Sequence, residues 1–340
     1  MIYFENDYSV GACDKVIDAL IKTNNEVLNC YGKDKYSILA ESKILKECGL
    51  SSGSVYFISG GTQTNMFVTS IMLKSYQGVM SADSGHIALH ECGAVERCGH
   101  KVLPLAHTDG KISANTLEEY LSNFHSDGNK SFMVEPGMLY VSQPTEYGTI
   151  YSKQELENLY KVCKKYGVIS YIDGARLGYA LACNEADFTL QDIANCCDVF
   201  YFGGTKIGAL VGEALVIKGE TPTAIYSLIK QHGAQLAKGR AIGVQFDALF
   251  TDNYWYKICK NAIDKAQKLK LILKEKGYKF FLETPTNQQF IILENNQLLK
   301  LSEKVKTAFW EKFDDTHTVV RFATSWATTD DDLENLKNTL

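Results

Sequence analysis

The sequence has few prolines, no excess of basic residues and no long apolar run. Its 5 prolines among 340 residues leave little room for long irregular linkers. A formal net charge of −5 and a pI near 5.9 provide no cationic surface for nucleic acid or for an anionic membrane. No apolar run approaches the ~18 residues of a membrane span, and Glu5 and Asp7 stand where a signal peptide has basic and then apolar residues. We therefore expect a cytoplasmic protein with neither nucleic-acid nor membrane partners.

The sequence also gives little support for a metal site. The 10 cysteines form no CxxC pair and no regular framework, so we expect free, partly buried thiols. His86 and His90 are four residues apart and could face one side of a helix, but a third ligand and the order of an HExxH motif are missing. We expect no metal. His86 is then either a hydrogen-bonded structural residue or a residue that stacks on a flat aromatic cofactor.

The rest of the sequence alternates between strand and helix patterns. It is 45% hydrophobic and 22% charged, as in globular proteins with a substantial core. The predicted strands in the middle of the chain are residues 55–58, 131–134, 138–142, 168–172 and 199–202. The predicted helices are one that follows residues 60–65 and ends at residue 73, one over 153–166 and a short one over 190–195. This alternation predicts an α/β fold with an open, mainly parallel sheet and helices on both faces.

The pattern changes after about residue 246. A long helix is predicted over residues 254–276, followed by strands over 279–282, 288–293 and 319–324. Thr329, followed by three aspartates, predicts the N-terminus of a last helix. We therefore divide the chain into a large domain over residues 1–246, which includes an N-terminal arm, and a small α/β domain over residues 247–340.

Two charged residues follow predicted strands, and together they indicate a cofactor. Lys206 lies among small residues after strand 199–202, where a partly dry loop can lower the pKa of its amine and let it attack a carbonyl. Asp173 follows strand 168–172. Taken singly, Lys206 reads as an exposed loop residue and Asp173 as a cap or turn former. As a pair at strand ends, they match the Schiff-base lysine and the pyridinium-binding aspartate of a pyridoxal phosphate (PLP) enzyme.

A glycine-containing turn is a candidate for the phosphate of such a cofactor. Residues 60–65, Gly-Gly-Thr-Gln-Thr-Asn, lie between a predicted strand and a predicted helix. The two glycines let backbone N–H groups approach an anion at the helix N-terminus. The alternative is a plain turn with a threonine cap. The segment lacks the GxGxxG and GxxxxGK[ST] motifs, which disfavours a dinucleotide or a P-loop nucleotide.

Over nearly its whole length, the chain resembles the threonine aldolase branch of the β-eliminating lyases, which are PLP enzymes of the aspartate-aminotransferase fold. The segments that carry the resemblance are Asn6–Tyr8, Tyr31–Gly32 with Asp34, Gly61–Asn65, His86, Glu91–Ala94, Gln143–Gly148, Asp173–Arg176, Gly204–Lys206, Arg240 with Gly243, and Val320–Thr324. The resemblance implies a three-layer large domain around a mainly parallel sheet, followed by a small α/β C-terminal domain.

The resemblance also implies roles for individual residues. Lys206 is the Schiff-base lysine, Asp173 pairs with the pyridine nitrogen, and His86 stacks on the ring face. Arg176 and Arg321 hold the substrate carboxylate through the planar fork that suits arginine. The further residues that the resemblance places near the cofactor or the substrate are Gly61 and Thr62 at the phosphate, Arg240 reaching the phosphate from a neighbouring subunit, Thr205 and Arg176 beside the cofactor, and Asn6 near the carboxylate.

One position departs from the better-known threonine aldolases, which have a histidine near the substrate hydroxyl. The matching position in this chain is Glu146, a pattern closer to the phenylserine-aldolase-like subgroup. A carboxylate can serve as the base if burial raises its pKa, and the alternative is a solvated or backbone-bound Glu146. The identity of the base and of the substrate therefore stays open.

The predicted function is a PLP-dependent aldolase that cleaves L-threonine, L-allo-threonine or a related L-3-hydroxy-α-amino acid into glycine and an aldehyde. The chemistry would come from the cofactor, and the protein would supply position and electrostatics. The alternatives are β-elimination or transamination on the same cofactor and, in a different class, a PLP-binding protein without catalysis. Because Arg240 is expected to act across subunits, we predict a homodimer or homotetramer with active sites at the interface.

Overall fold

The computed structural model describes residues 1–221 and 223–340. Its strands are β1 (Ile2–Tyr3), β2 (Gly53–Ile58), β3 (Gln77–Ala82), β4 (Val102–Leu105), β5 (Glu135–Ser142), β6 (Ile169–Asp173), β7 (Val199–Gly203), β8 (Glu213–Lys218), β9 (Lys279–Leu282), β10 (Gln288–Glu294), β11 (Val305–Lys306), β12 (Ala308–Lys312) and β13 (His317–Ala323). Its α-helices are α1 (Asp14–Thr23), α2 (Lys35–Glu47), α3 (Gly61–Met72), α4 (His86–Leu89), α5 (Ala94–Arg97), α6 (Ala114–Ser126), α7 (Lys153–Tyr166), α8 (Leu177–Ala182), α9 (Leu190–Asn195), α10 (Ile225–Gln231), α11 (Arg240–Phe250), α12 (Tyr254–Glu275), α13 (Asn295–Ser302) and α14 (Asp330–Thr339).

The central sheet confirms the predicted alternation. Within the described ranges it has 7 strands in the order β2-β8-β7-β6-β5-β3-β4. The pairs from β4 to β7 are parallel, whereas β8 runs antiparallel to both β7 and β2. Side chains alternate between the two faces along each strand: Phe200 and Phe202 join one core cluster, and Val199 and Tyr201 join the other. Helices therefore cover both faces, as a continuous run of apolar residues requires.

The register of this sheet brings polar strand ends together. Ser142 at the end of β5 lies opposite Asp173 at the end of β6. Gly203 at the end of β7 lies opposite Glu213, which begins the antiparallel strand β8. These positions share one edge of the sheet, where open α/β sheets bind their ligands.

Local sequence signals set several helix boundaries. Ser152 forms a capping box with Glu155 at the start of α7, and the helix ends at Gly167, whose φ of 69° is left-handed. Thr329 makes the equivalent box with Asp332 at the start of α14, as its sequence predicts. Helices α7 and α9 and strand β9 have the predicted bounds.

The strand predicted over residues 131–134 is wrong. The chain forms a short 3-10 turn at Lys130–Phe132, the side chain of Phe132 is 92% exposed, and β5 begins only at Glu135. The reason lies in the neighbouring strand: β3 begins at Gln77, which pairs with Glu135. Residues before Glu135 extend beyond that strand, so an apolar sequence there has no ladder to join.

The C-terminal part has a separate antiparallel sheet in the order β12-β13-β10-β9. The N-terminus packs with it: β1 pairs in parallel with β11, and the backbone N–H of Ala323 donates to the carbonyl of Phe4 at 2.8 Å. The limits of 1–246 and 247–340 stay a prediction, but Ile2 and Phe4 pack into the C-terminal core. In the part of the chain that the structure describes, every helix is too short or too polar to cross a membrane.

Candidate active site

A cleft of about 340 Å³ opens where β5, β6 and β7 end. It adjoins a second cleft of about 640 Å³, and both are lined by Tyr8, His86, Glu146, Arg176 and Lys206. The inner cleft also contains Gly61, Thr62, Asp173, Thr205 and Glu213, and the outer cleft contains Tyr147, Trp310 and Arg321. The clefts thus bring together most of the residues that the sequence analysis selected.

Lys206 lies in a tight turn directly after β7. The 3-10 turn Thr205–Ile207 ends at Gly208, whose φ of 95° favours glycine. Burial, reinforced by the guanidinium of Arg176, lowers the pKa of the Lys206 amine to about 8, although nearby carboxylates oppose this effect. Its Nζ lies 5.9 Å from the ring centroid of Tyr8. A neutral, nucleophilic amine is therefore available close to neutral pH.

Asp173 is the last residue of β6 and is held by four donors. Its Oδ1 accepts from the Tyr201 hydroxyl at 2.6 Å and from the backbone N–H of Ala175 at 2.9 Å. Its Oδ2 accepts from the Tyr140 hydroxyl at 2.6 Å and from Asn65 Nδ2 at 3.3 Å. Burial, together with the charge of Asp173, raises the pKa of both tyrosines well above the usual value, so they stay protonated donors. These contacts fix the carboxylate in the cleft wall.

His86 begins the short helix α4 and is oriented by a buried carboxyl group. Its Nδ1 lies 2.9 Å from Oε1 of Glu91, whose side chain is fully buried. The same oxygen accepts from Asn65 Nδ2 at 2.8 Å, and Asn65 Oδ1 accepts from the Tyr171 hydroxyl at 2.6 Å. The imidazole itself is about half exposed to the cleft, since 42% of its side-chain surface is accessible. One face of a flat ligand could pack against it.

Glu146 projects from the loop after β5. Its Oε1 accepts from Ser142 Oγ at 2.6 Å and from the backbone N–H of His86 at 2.9 Å. Burial raises the pKa of the Glu146 carboxyl, and the charge of Asp173 adds to this effect, while the hydrogen bonds oppose it. A carboxyl group of this kind accepts a proton at a higher pH than an exposed glutamate does.

Two arginines approach the clefts from different elements. Arg176 donates from Nε and Nη2 to the buried carboxylate of Asp7, at 2.7 and 2.9 Å. Arg321, on β13, donates from Nη1 to Gln288 Oε1 at 3.0 Å. Burial and the charge of Arg176 lower the pKa of Arg321 to about 10, and among the described residues its buried Nε has no hydrogen-bond partner. The pair therefore forms an anion-attracting end of the site.

The glycine turn supplies a second place for an anion. Gly60 precedes the 12-residue helix α3, whose first N–H groups have no acceptor within the helix. A Cβ built on Gly60 meets no atom within 4 Å, whereas one on Gly61 would lie 3.0 Å from the Tyr201 hydroxyl. Both glycines line the inner cleft. One cleft thus contains the groups that bind PLP: an amine, a carboxylate at a strand end, an imidazole face and a helix N-terminus.

Two predicted residues lie elsewhere. Arg240 begins α11, and its guanidinium donates to the carbonyls of Thr23, Asn24 and Glu26 at 2.7–3.0 Å. In the described ranges, the lining of the two clefts includes Tyr8 but neither Asn6 nor Arg240. Asn6 Oδ1 instead accepts from the backbone N–H of Tyr8 at 3.0 Å and thereby shapes the N-terminal arm. The predicted roles of both residues stay predictions.

Known proteins match this chain along most of its length. The family model described as "Beta-eliminating lyase" matches residues 8–296. The chain belongs to this family. The structure of Leishmania major threonine aldolase superposes with a TM-score of 0.95 and 37% identity, covering 99% of this chain and 98% of the other. A low-specificity L-threonine aldolase of a Pseudomonas species is 27% identical over 315 residues, which is 88% of this chain and 87% of that protein.

The fold also extends to more distant PLP enzymes. An aspartate aminotransferase of Thermus thermophilus superposes with a TM-score of 0.71 at 16% identity, covering 100% of this chain and 92% of the other. The predicted α/β fold of the aspartate-aminotransferase type is thereby confirmed. The chain is a PLP-dependent lyase of the threonine aldolase branch, and its cofactor is pyridoxal 5′-phosphate.

The structure adds functional candidates that sequence reasoning missed. Asp7 and Glu91 lie in segments that carry the family resemblance, but their buried contacts with Arg176 and His86 join residues that are not adjacent in the chain. Glu213 is the third candidate, and the only sequence signal for it is its position at the start of an apolar strand. Only the register of β7 with β8 brings it to the cofactor cleft.

Proposed function

We propose that this lyase cleaves the Cα–Cβ bond of an L-3-hydroxy-α-amino acid, such as L-threonine or L-allo-threonine, and releases glycine and an aldehyde. The observation that carries this proposal is the convergence of Lys206, Glu146 and two arginines on adjoining clefts. Relatives described as low-specificity L-threonine aldolases support the same reaction class. The substrate would be a small amino acid that the protein holds by its carboxylate group.

Arg321 and Arg176 would bind the substrate carboxylate. Arg176 uses Nε and Nη2 on Asp7, so Nη1 is the nitrogen that it can offer to a ligand. Arg321 brings a buried N–H at Nε that is without a partner in the described residues. A carboxylate between the two guanidinium groups would satisfy that donor and relieve their mutual repulsion.

The cofactor supplies an electron sink for the pair of electrons that the broken Cα–Cβ bond leaves on the substrate. Lys206 would carry it covalently, and Asp173 would hold the proton on its ring nitrogen. His86 would support one ring face. Gly61 and Thr62 would hold its phosphate end with Arg240 of a second subunit, which implies a homodimer or homotetramer, and Thr205 would lie beside the cofactor.

Glu146 is the proposed general base. When its carboxylate takes the proton of the substrate hydroxyl, the oxygen electrons form the aldehyde carbonyl as the Cα–Cβ bond breaks. A proton then returns to Cα to give glycine. The outer cleft beyond Glu146 has aromatic walls at Tyr147 and Trp310, where an apolar substituent on Cβ could lie.

Product analysis tests the reaction class. The PLP-loaded protein is incubated with L-threonine, L-allo-threonine and L-phenylserine, and the products are identified. We expect glycine with an equal amount of aldehyde. A 2-oxo acid with ammonia would instead indicate β-elimination, and a 2-oxo acid with an aminated cofactor would indicate transamination; either result without glycine would overturn the proposal. The Lys206→Ala variant is the control, which should lose both the visible absorbance of lysine-bound cofactor and turnover.

A further inference from the structure

Glu213 is a buried acid in the cofactor cleft that has no part in the mechanism above. It is the first residue of β8, its exposed fraction is 5%, and it lines the same cleft as Lys206. Both of its carboxyl oxygens hold the segment just before that lysine. Oε2 accepts from the backbone N–H of Gly204 at 2.9 Å, and Oε1 accepts from the Thr205 hydroxyl at 2.9 Å.

We propose that Glu213 is a positioning residue for Lys206, whose carboxylate clamps the lysine-bearing turn to β8 and provides a negative charge that keeps a proton on the lysine nitrogen. This inference rests on the proposed role of Lys206 as the cofactor lysine.

The clamp follows from the closed set of hydrogen bonds around the turn. The Thr205 hydroxyl donates to Glu213 and also accepts the backbone N–H of Gly212 at 3.1 Å. The backbone N–H of Gly204 donates in addition to the carbonyl of Gly212 at 3.0 Å. The turn is thus fixed at the two residues that precede Lys206, so the direction in which its side chain leaves the backbone is set from β8.

The charge of Glu213 acts on the amine within a group of neighbouring ionisable residues. Those that influence Lys206 are Arg176, which favours loss of its proton, and Asp7, Asp173 and Glu213, which favour its retention. Around Glu213 itself stand Lys206, Asp173, Tyr171 and Tyr201. Burial raises the pKa of Glu213 to about 7, against the opposing effect of its hydrogen bonds and of Lys206. Both of its oxygens accept hydrogen bonds, from Gly204 N–H and from the Thr205 hydroxyl, an arrangement that suits the carboxylate anion.

This position has a functional consequence. An amine that must both bind and release a carbonyl carbon needs to exchange protons near the working pH. Burial and Arg176 weaken Lys206 as a base, and the carboxylates of Asp7, Asp173 and Glu213 oppose them. The carboxylate of Glu213 offsets part of the effect that burial and Arg176 have on the pKa of Lys206. Its two hydrogen-bond donors, the Gly204 N–H and the Thr205 hydroxyl, are neutral, so its own charge can change when the charge on the lysine nitrogen changes.

The test measures the protonation of Lys206 directly. The full-length chain, freed of cofactor, is labelled with trace acetic anhydride at a series of pH values, and the labelled fraction of the Lys206 peptide is quantified by mass spectrometry. In Glu213→Gln the anion is gone and the side chain keeps nearly the same shape, but its amide nitrogen cannot accept one of the two clamp hydrogen bonds. The labelling midpoint of Lys206 should therefore fall below that of the native chain, because loss of a neighbouring negative charge lowers the pKa of an amine. An unchanged midpoint, or one that rises, would overturn the proposal.

A matched control removes a structural carboxylate elsewhere. Glu41 Oε1 also accepts a backbone N–H, that of Val55 at 3.1 Å, but Glu41 lies outside the clefts. Glu41→Gln should leave the midpoint of Lys206 unchanged. In the PLP-loaded proteins, the pH midpoint of the visible band should move in the same acid direction for Glu213→Gln only. If both variants shifted equally, the effect would be general loosening and the proposal would fail.

A second variant keeps the proposal testable if Glu213→Gln does not fold. Thr205→Val removes both hydrogen bonds of the Thr205 hydroxyl, to Glu213 and from Gly212, and leaves the charge. It should therefore slow attachment of PLP to the chain at least roughly fivefold, the equivalent of one hydrogen bond, with little change in the labelling midpoint. Attachment at the native rate would overturn the clamp. Amine labelling needs neither substrate nor cofactor, so failure of the aldolase proposal would appear in product analysis and not in this experiment.

Discussion

The buried ion pair between Asp7 and Arg176 gives the prediction with the best-defined magnitude. Burial by itself raises the pKa of the Asp7 carboxyl, but the charge and two hydrogen bonds of Arg176 overcome this and lower the pKa from 3.8 to about 2. The difference, at about 1.36 kcal/mol per pKa unit, corresponds to about 2 kcal/mol of folding stability at neutral pH. Asp7→Asn should lose about this amount.

The same argument fixes how the effect depends on pH. Because the folded-state pKa is lower than the unfolded one, the contribution of Asp7 is present above pH 4 and is lost as the pH falls toward 2. Asparagine also introduces an N–H that faces the guanidinium donors, so at least one contact to Arg176 cannot form. The stability difference between the native chain and Asp7→Asn should therefore be greatest at pH 7 and shrink steadily below pH 4.

Urea unfolding followed by circular dichroism at several pH values measures this difference. The exposed pair between Lys312 and Asp315, in which the aspartate side chain is 95% accessible, gives the control. Asp315→Asn should leave the unfolding midpoint unchanged, since exposed pairs contribute little. A difference for Asp7→Asn that stays constant from pH 7 to pH 2.5 would refute the assignment of the stabilisation to the charge of Asp7.

Three further predictions concern the active site. Asp173→Asn should still bind PLP but lose activity roughly 10²-fold, because an amide does not hold the ring nitrogen protonated by charge. Full activity would show that Asp173 serves only as a cap or turn former. Arg240→Ala should be inactive alone but regain activity when its subunits are mixed with Lys206→Ala subunits, and no recovery would exclude action across subunits. Glu146→Gln should slow aldol cleavage roughly 10²-fold with substrate still perturbing the cofactor spectrum, and native rates on every 3-hydroxy amino acid would rule out Glu146 as the base.

The parts of the fold and site that the sequence predicted are those encoded by local signals. Lys206 and Asp173 could be placed together because each follows an apolar strand, and parallel strands end at one sheet edge. The prediction for residues 131–134 failed because an apolar run by itself cannot show where the neighbouring strand begins. Glu213 was missed for a related reason: its place in the cleft depends on the antiparallel register of β8 with β7, which no local pattern encodes.

The buried carboxyl groups of the site have pKa values shifted in opposite directions, and their partners determine the direction. Asp7 faces a guanidinium and has a pKa of about 2, whereas Glu213 faces neutral donors and has a pKa of about 7. Burial is common to both, so the charge of the partner decides the protonation state. Asp7 is therefore a permanent anion that compensates the charge of Arg176, and a substrate carboxylate held between the two guanidinium groups would also meet the charge of Arg321. Burial also raises the pKa of the Glu146 carboxyl, and Glu146 and Glu213 line the same cleft as the lysine. The hydrogen-bond partners of the buried acids thus help to separate a permanent anion at the arginine from acids whose pKa burial raises.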